Sequence, residues 1–164
     1  MSQIPPRPKM TDQEVLAIFY SRFAVEMQKQ CPELCRSMQL EEIEGELRTA
    51  GRPECDGYEY AKKLENANWS SITASDVEVL DYAYSVLHEA HESIVGQWIH
   101  DNDIKPSLPD GDTAFYKGVA GTVHYVDRLI PLGQCLFRSE EWVAEHGDQG
   151  GLHVDWENIE RLPF

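Results

Sequence analysis

"TAFYKGVAGTVHYVDRLI", residues 113–130, is where the patterning of this chain changes. Before it, apolar residues recur at three- and four-residue intervals, the period of a helix with one buried face. Within it, aromatic and β-branched residues crowd together and Gly118 and Gly121 break the run, which suits short, bent strands. "GQCLFRSEEWVAEH" and "GGLHVDWENIERL" follow, each introduced by glycine. Val123, Tyr125, Leu136, Leu152, Val154 and Trp156 fit strands of alternating character. The fold class expected is α+β, a helical part of about four helices followed by a small antiparallel β unit.

The segment "KGVAGTVHYV", a central strand, and "GLHVDWENIERL" together resemble an SH3-like small barrel of the KOW or Tudor kind. The resemblance covers residues 112–163. It implies a glycine-bent early strand, a last strand that runs into one helical turn, and a binding module for nucleic acid, peptides or partner domains. This copy is acidic where nucleic-acid-binding versions are basic. Glu140, Glu141, Glu145, Asp148, Asp155, Glu157 and Glu160 outnumber Lys117, Arg128, Arg138 and Arg161, which argues against phosphate binding.

Upstream, "HDNDIKPSLPDGD" combines acids, two prolines and Asp-Gly, a turn-rich composition that marks a linker. The expected divisions are a loose tail over 1–10, a helical domain over 11–104, a linker over 105–111 and the β domain over 112–164. In the helical part, Thr11 suits an N-cap with Glu14 three residues on, and Met10 can staple to Val15. Val15, Ile18, Phe19, Phe23 and Met27 then carry a helix to Pro32. Leu40, Ile43 and Leu47 mark a second helix and "YEYAKKLENA" a third. Thr73 and Asp76 cap a fourth, whose stripe of Leu80, Ala83, Tyr84, Leu87, Ala90, Ile94 and Trp98 runs to His100.

Fourteen Lys/Arg stand against twenty-nine Asp/Glu, a net charge of −15. Residues 1–63 hold nine basic and eleven acidic side chains, a net of −2, and residues 64–164 hold five and eighteen, a net of −13. Such a surface repels nucleic acid and anionic membranes and steers toward a basic partner. No apolar run reaches the ~20 residues that span a bilayer. The opening "MSQIPPRPKM" lacks the apolar core of a secretion signal, so a cytoplasmic protein is expected.

The motifs that would carry chemistry fall short of their spacing. "HEAHE" sets His88 and His91 three apart, whereas the zinc-protease motif needs four with a glutamate base between. A metal-dependent enzyme built on His88, His91 and Glu92 is the competing class. The simpler reading packs His91 beside the apolar stripe and exposes His88 and Glu92. Cys31, Cys35 and Cys55 could supply three zinc ligands, but buried small hydrophobes are their ordinary role. Cys135 with His124 or His153 is a conceivable nucleophile pair. The clusters at Asp101–Asp103 and Asp110–Asp112 do not complete a calcium loop. Neither a catalytic set, a metal site nor a cofactor is expected.

The function expected is therefore non-enzymatic. The acids framing the linker and the barrel, Asp101, Asp103, Asp110, Asp112, Glu140, Glu141 and Glu145, would dock on a basic protein partner. Trp142 and Tyr116 would serve as anchors. In charge, size and missing chemistry the chain resembles inhibitors that phages or mobile elements direct at host defence or replication enzymes. An accessory domain whose barrel binds peptide or RNA is the other reading.

Overall fold

Residues 5–53 and 56–161 are described by a computed structural model. Contacts divide them into two compact units, one from Arg7 to Ile94 and one from Val95 onward that also includes Pro5 and Pro6.

The helical unit grows from α1 (Gln13–Gln30), whose buried Val15, Phe19, Tyr20, Phe23, Ala24 and Met27 form one stripe. Fully burying each large apolar side chain of this kind stabilises by ~1.5–3 kcal/mol. The cap is Asp12 rather than Thr11. The Asp12 carboxylate accepts the Lys9 N–H at 2.8 Å, and its own N–H bonds the Lys9 carbonyl, so a tight turn holds the entry and delays the helix. Cys31 closes α1 just before Pro32, which cannot extend the hydrogen-bond ladder.

Helix α2 (Leu40–Ala50) and helix α3 (Gly57–Asn66) follow. The Asp56 carboxylate caps α3 by accepting from the Tyr58 and Glu59 N–H groups. Phe19 stacks on Phe23 at 5.5 Å, Phe23 meets Tyr60 at 6.3 Å, and the Tyr60 hydroxyl donates to the Gly51 carbonyl. Burial raises the Tyr60 pKa far above its ordinary value, so this phenol stays neutral.

Thr73 and Asp76 form the expected capping box on α4 (Ala74–Leu80). The single long helix expected from Thr73 to His100 is instead two, α4 and α5 (Ala83–Asp101), giving five helices ahead of the sheet among the described residues. The break is local. The Tyr82 N–H turns to the Val79 carbonyl three residues back, and the Asp81 carboxylate takes the Gly57 N–H at 2.6 Å.

The second unit holds a curled, five-stranded antiparallel sheet, a half-barrel, in the order β4-β3-β2-β1-β5. Its strands are β1 (Thr113–Tyr116), β2 (Val119–His124), β3 (Gln134–Ser139), β4 (Leu152–Asp155) and β5 (Glu160–Arg161). Strands β1 and β2 join through Lys117 and Gly118, both at positive φ (50° and 80°), the backbone of a type I′ hairpin turn. Gly121 faces Ala114 on one side and Ser139 on the other. A Cβ there would stand 2.5 Å from the Arg138 carbonyl oxygen and from Phe137 Cζ, so glycine permits the close approach that curls β2.

Ala114, Val123, Cys135, Phe137, Val154 and Trp156 form the core of this unit. Val123, Leu136, Leu152 and Val154 lie in strands as expected, whereas Tyr125 follows the end of β2 and Trp156 opens a 3-10 turn. Leu136 is buried but lies outside that cluster, because Cys135 and Phe137 occupy the inward positions of β3. Leu152 begins the edge strand β4 and is 45% exposed. Residues 140–146, read within a strand-bearing stretch, form α6 (Glu140–His146), which starts where the Ser139 hydroxyl accepts the Trp142 N–H. A single 3-10 turn, Trp156–Asn158, links β4 to β5. No helix among the described residues is long and apolar enough to cross a membrane.

Candidate functional site

The acids singled out from sequence fall in three groups, all in the sheet-bearing unit. Glu140, Glu141 and Glu145 project from α6, and all three are exposed. Between them Trp142 is half-buried. Its ring stacks on His146 at 4.3 Å with a 19° interplanar angle, and its Nε1 donates to the Gln149 carbonyl at 3.4 Å. Val143 beside it is 38% exposed. Among the described residues no lysine or arginine pairs with Glu140, Glu141 or Glu145; the nearest charge partner is His146, at 3.9 Å from Glu145. Three exposed carboxylates thus share a short helix with a half-buried tryptophan and an exposed valine.

The second group flanks the turn into β1. The Gly111 N–H bonds the Val123 carbonyl and the Val123 N–H bonds the Asp112 carbonyl. The Asp110 carboxylate accepts the Tyr125 N–H at 2.8 Å. Asp110 therefore has a structural task that its sequence context does not announce. The Tyr125 hydroxyl donates to the Leu108 carbonyl, and the Arg161 guanidinium donates to the Ser107 carbonyl, so the 105–111 segment is stitched to the sheet. The third group closes α5. Asp101 accepts from His100 Nδ1 and Gln97 Nε2, which together hold its carboxyl below the usual range. Asp103 pairs with Lys105 at 2.7 Å.

Tyr116 ends β1, packs on Phe137 at 5.8 Å and lies under the Lys117 ammonium. Among the described residues, no hydrogen bond, ion pair or ring contact joins the α6 group to Asp101, Asp103, Asp110, Asp112 or Tyr116. Of the residues singled out from sequence, acids and an aromatic share one element in α6.

The residues weighed for chemistry are arranged otherwise. His88 is exposed and meets Tyr84 edge-on at 4.6 Å, whereas His91 Nε2 lies 3.0 Å from the Pro8 carbonyl. The two rings thus have separate partners. Among the described residues no three His, Cys, Asp or Glu side chains group as metal ligands. Cys55 lies outside the described residues. His124 and His153 both face Leu136 across the sheet, on the opposite surface from Cys135, so the conceivable Cys–His pair does not form. Burial, with the Asp155 charge second, pushes the Cys135 thiol up to about 11. It is a poor nucleophile.

One cluster had no signal in the sequence beyond its cap. Asp76 is 8% exposed, a carboxylate within the helical core. Burial alone would raise its pKa. Hydrogen bonds from the Thr73 hydroxyl (2.7 Å), the Thr73 N–H (2.8 Å) and the Cys31 thiol outweigh that and hold it below the usual range. In return Cys31 is pushed up to about 12, by burial first and by Asp76 second, and Cys35 to about 11. Cys31, Thr73 and Asp76 line a hollow with Ser70, Ser71 and Ser75. Their mutual bonds satisfy one another and leave no activated thiolate.

The chain matches no protein-family model, no curated protein sequence and no solved structure.

Proposed function

We propose that this chain is a non-enzymatic interaction protein whose acidic second half docks on a basic protein surface, of the kind that otherwise binds nucleic acid. The observation that carries the reading is α6: three exposed carboxylates without a lysine or arginine partner share one short helix with a half-buried Trp142 and an exposed Val143. Carboxylates in this state keep their full long-range attraction for cations, and a rigid aromatic beside them supplies the apolar contact that slows dissociation. Asp112 extends the acidic surface, as do Asp101 and Asp103 where a stronger cation displaces their local partners.

In this reading the curled sheet is an SH3-like barrel of the KOW or Tudor kind, turned from nucleic acid to protein by its charge. The strand order, the tight β1–β2 hairpin and the 3-10 turn before β5 support that assignment. The proposed divisions are a helical domain over 11–104 and a β domain over 112–164, in a cytoplasmic protein. Size, acidity and the absence of a catalytic motif are those of inhibitors that phages or mobile elements aim at host defence or replication enzymes, and we assign the chain to that class.

The test is the association rate with a partner captured at low salt, measured against ionic strength. Charge reversal of Glu140, Glu141 and Glu145 should slow association and flatten its salt dependence, while Trp142→Ala should speed dissociation. Salt-independent association by the native chain would reduce its acidity to a solubility device. Capture of RNA or an acidic peptide in place of a basic protein would favour the accessory-domain reading.

A further inference from the structure

A groove of about 750 Å³ runs along the helical unit, between α1 and the run from α4 into α5. Val79 and Val86 lie within it, each partly buried. At its margins Val25 is 48% exposed and Tyr82 is 68% exposed. Val79, Tyr82 and Val86 all line the groove, so its apolar edge continues across the α4–α5 break as far as Glu89. Tyr82 sits at the break between α4 and α5, where the tightened turn turns its ring into solvent.

We infer that this groove is the surface through which two copies of the chain pair about a two-fold axis. A two-fold interface must be complementary to itself, because each residue that meets a second on the partner copy is met in turn. This patch carries both halves of such a fit. Tyr82 is a knob, and the hollow lined by Val79 and Val86 is a hole one turn to either side of it.

Charge makes the same choice. The groove is lined by Arg22 as well as by Glu26 and Glu89. Among the described residues Arg22 has no ion-pair partner of its own. A uniformly basic partner would confront Arg22, and a uniformly acidic one would confront the two glutamates. A second copy offers both signs and sets Arg22 against a carboxylate. In a chain of net charge −15, these seam pairs act against a long-range repulsion between two acidic copies that salt screens.

The experiment is sedimentation of the full chain from about 1 to about 500 µM, the range of moderate to weak association. The native chain should pass from monomer to dimer. Tyr82→Ser should weaken the dimer about 30-fold, the loss expected of a central aromatic contact. Arg22→Glu makes the patch wholly acidic, and the double substitution Glu26→Arg with Glu89→Arg makes it wholly basic. Each variant alone should remain monomeric, and an equimolar mixture should form the mixed dimer. Circular dichroism of each variant checks that the fold is kept, as the exposure of Tyr82 and Arg22 leads one to expect. A native chain that stays monomeric throughout overturns the proposal, as does a dimer that Tyr82→Ser leaves unchanged. A monomeric chain whose groove instead retains a different protein in a Tyr82-dependent manner also overturns it and gives the groove to that partner.

Discussion

Gly57 donates its backbone N–H to Asp81 Oδ1 at 2.6 Å, and a Cβ on Gly57 would stand 2.5 Å from both that oxygen and the Asp81 nitrogen. The start of α3 is thereby locked to the end of α4, and Asp81 is held where the chain changes from one helix to the next. Gly57→Ala should destabilise by at least ~1–3 kcal/mol, because the Asp81 nitrogen and the Val77 carbonyl oxygen beside that Cβ are backbone and cannot swing aside. Asp81→Ala should cost about 1–3 kcal/mol by leaving a part-buried N–H unpaired, and Asp81→Asn less, since the amide oxygen still accepts. Urea midpoints of the three variants measure the order. An Ala at Gly57 that left the midpoint unchanged would mean that the two helices do not meet this closely.

Two other glycines should respond with opposite signs. Gly45 lies in the middle of α2 with nothing within 4 Å of where a Cβ would stand. Gly45→Ala should stabilise by about 0.5–1 kcal/mol, through helix propensity and a less flexible unfolded chain. Gly121→Ala forces a methyl into Phe137 and the Arg138 carbonyl, and should destabilise by at least ~1–3 kcal/mol. Thermal melts of both variants decide it. Equal effects would remove the argument that Gly121 is what lets β2 curl.

The helices were legible because their caps and apolar stripes are local signals. Thr73 with Asp76 gave a start, and Pro32 gave an end. The α4–α5 break was not legible, because the apolar stripe runs through it and the bond from Gly57 to Asp81 joins residues far apart in sequence. Helix α6 was hidden for a similar reason. "EEWVAEH" is short, and its decisive feature is the Ser139 cap rather than any periodicity. The strands could be read as strands, but the facing of Leu136 and Cys135 depends on register, which pairing sets and alternation does not. Of the candidate site, the acids of α6 were legible from composition. The structural use of Asp110 was not, since only the folded sheet brings Tyr125 to it.

Asp110 supplies the next prediction. Asp110→Ala removes the acceptor for the Tyr125 N–H, beside the Tyr125 hydroxyl bond to the Leu108 carbonyl. The loss should be about 1–2 kcal/mol, the net worth of a charge-assisted bond at a largely exposed group. The more specific readout is proteolysis, because residues 105–111 lose one of their ties to the sheet. Cleavage within that segment should accelerate in the variant, while sites in the helical unit keep their rates. Unchanged cleavage would mean that the Leu108 and Ser107 bonds suffice alone.

The final prediction concerns the thiol and carboxylate buried together in the helical unit. Cys31 has a folded-state pKa raised from its ordinary 9.0 to about 12, so the stability it contributes is whole below about pH 9 and is lost as the pH climbs toward 12. Asp76 runs the other way. Its folded-state pKa is lowered, so its contribution is present above the ordinary carboxylate range near 3.9 and is lost as the pH falls through the folded value. The two groups are coupled, because the Asp76 charge and hydrogen bond are part of what raises Cys31. Asp76→Asn should therefore lower the Cys31 pKa. It should not restore 9.0, because burial is the larger cause and survives the substitution. The S–H Raman band, followed from neutral to alkaline pH in protein whose Cys35, Cys55 and Cys135 are replaced by alanine, reports this titration directly. A Cys31 midpoint that does not move in the Asp76→Asn background would show that burial alone sets it and that the carboxylate does not accept from the thiol. A midpoint falling to the ordinary value would show the reverse, that the site is wet and the carboxylate does all the work.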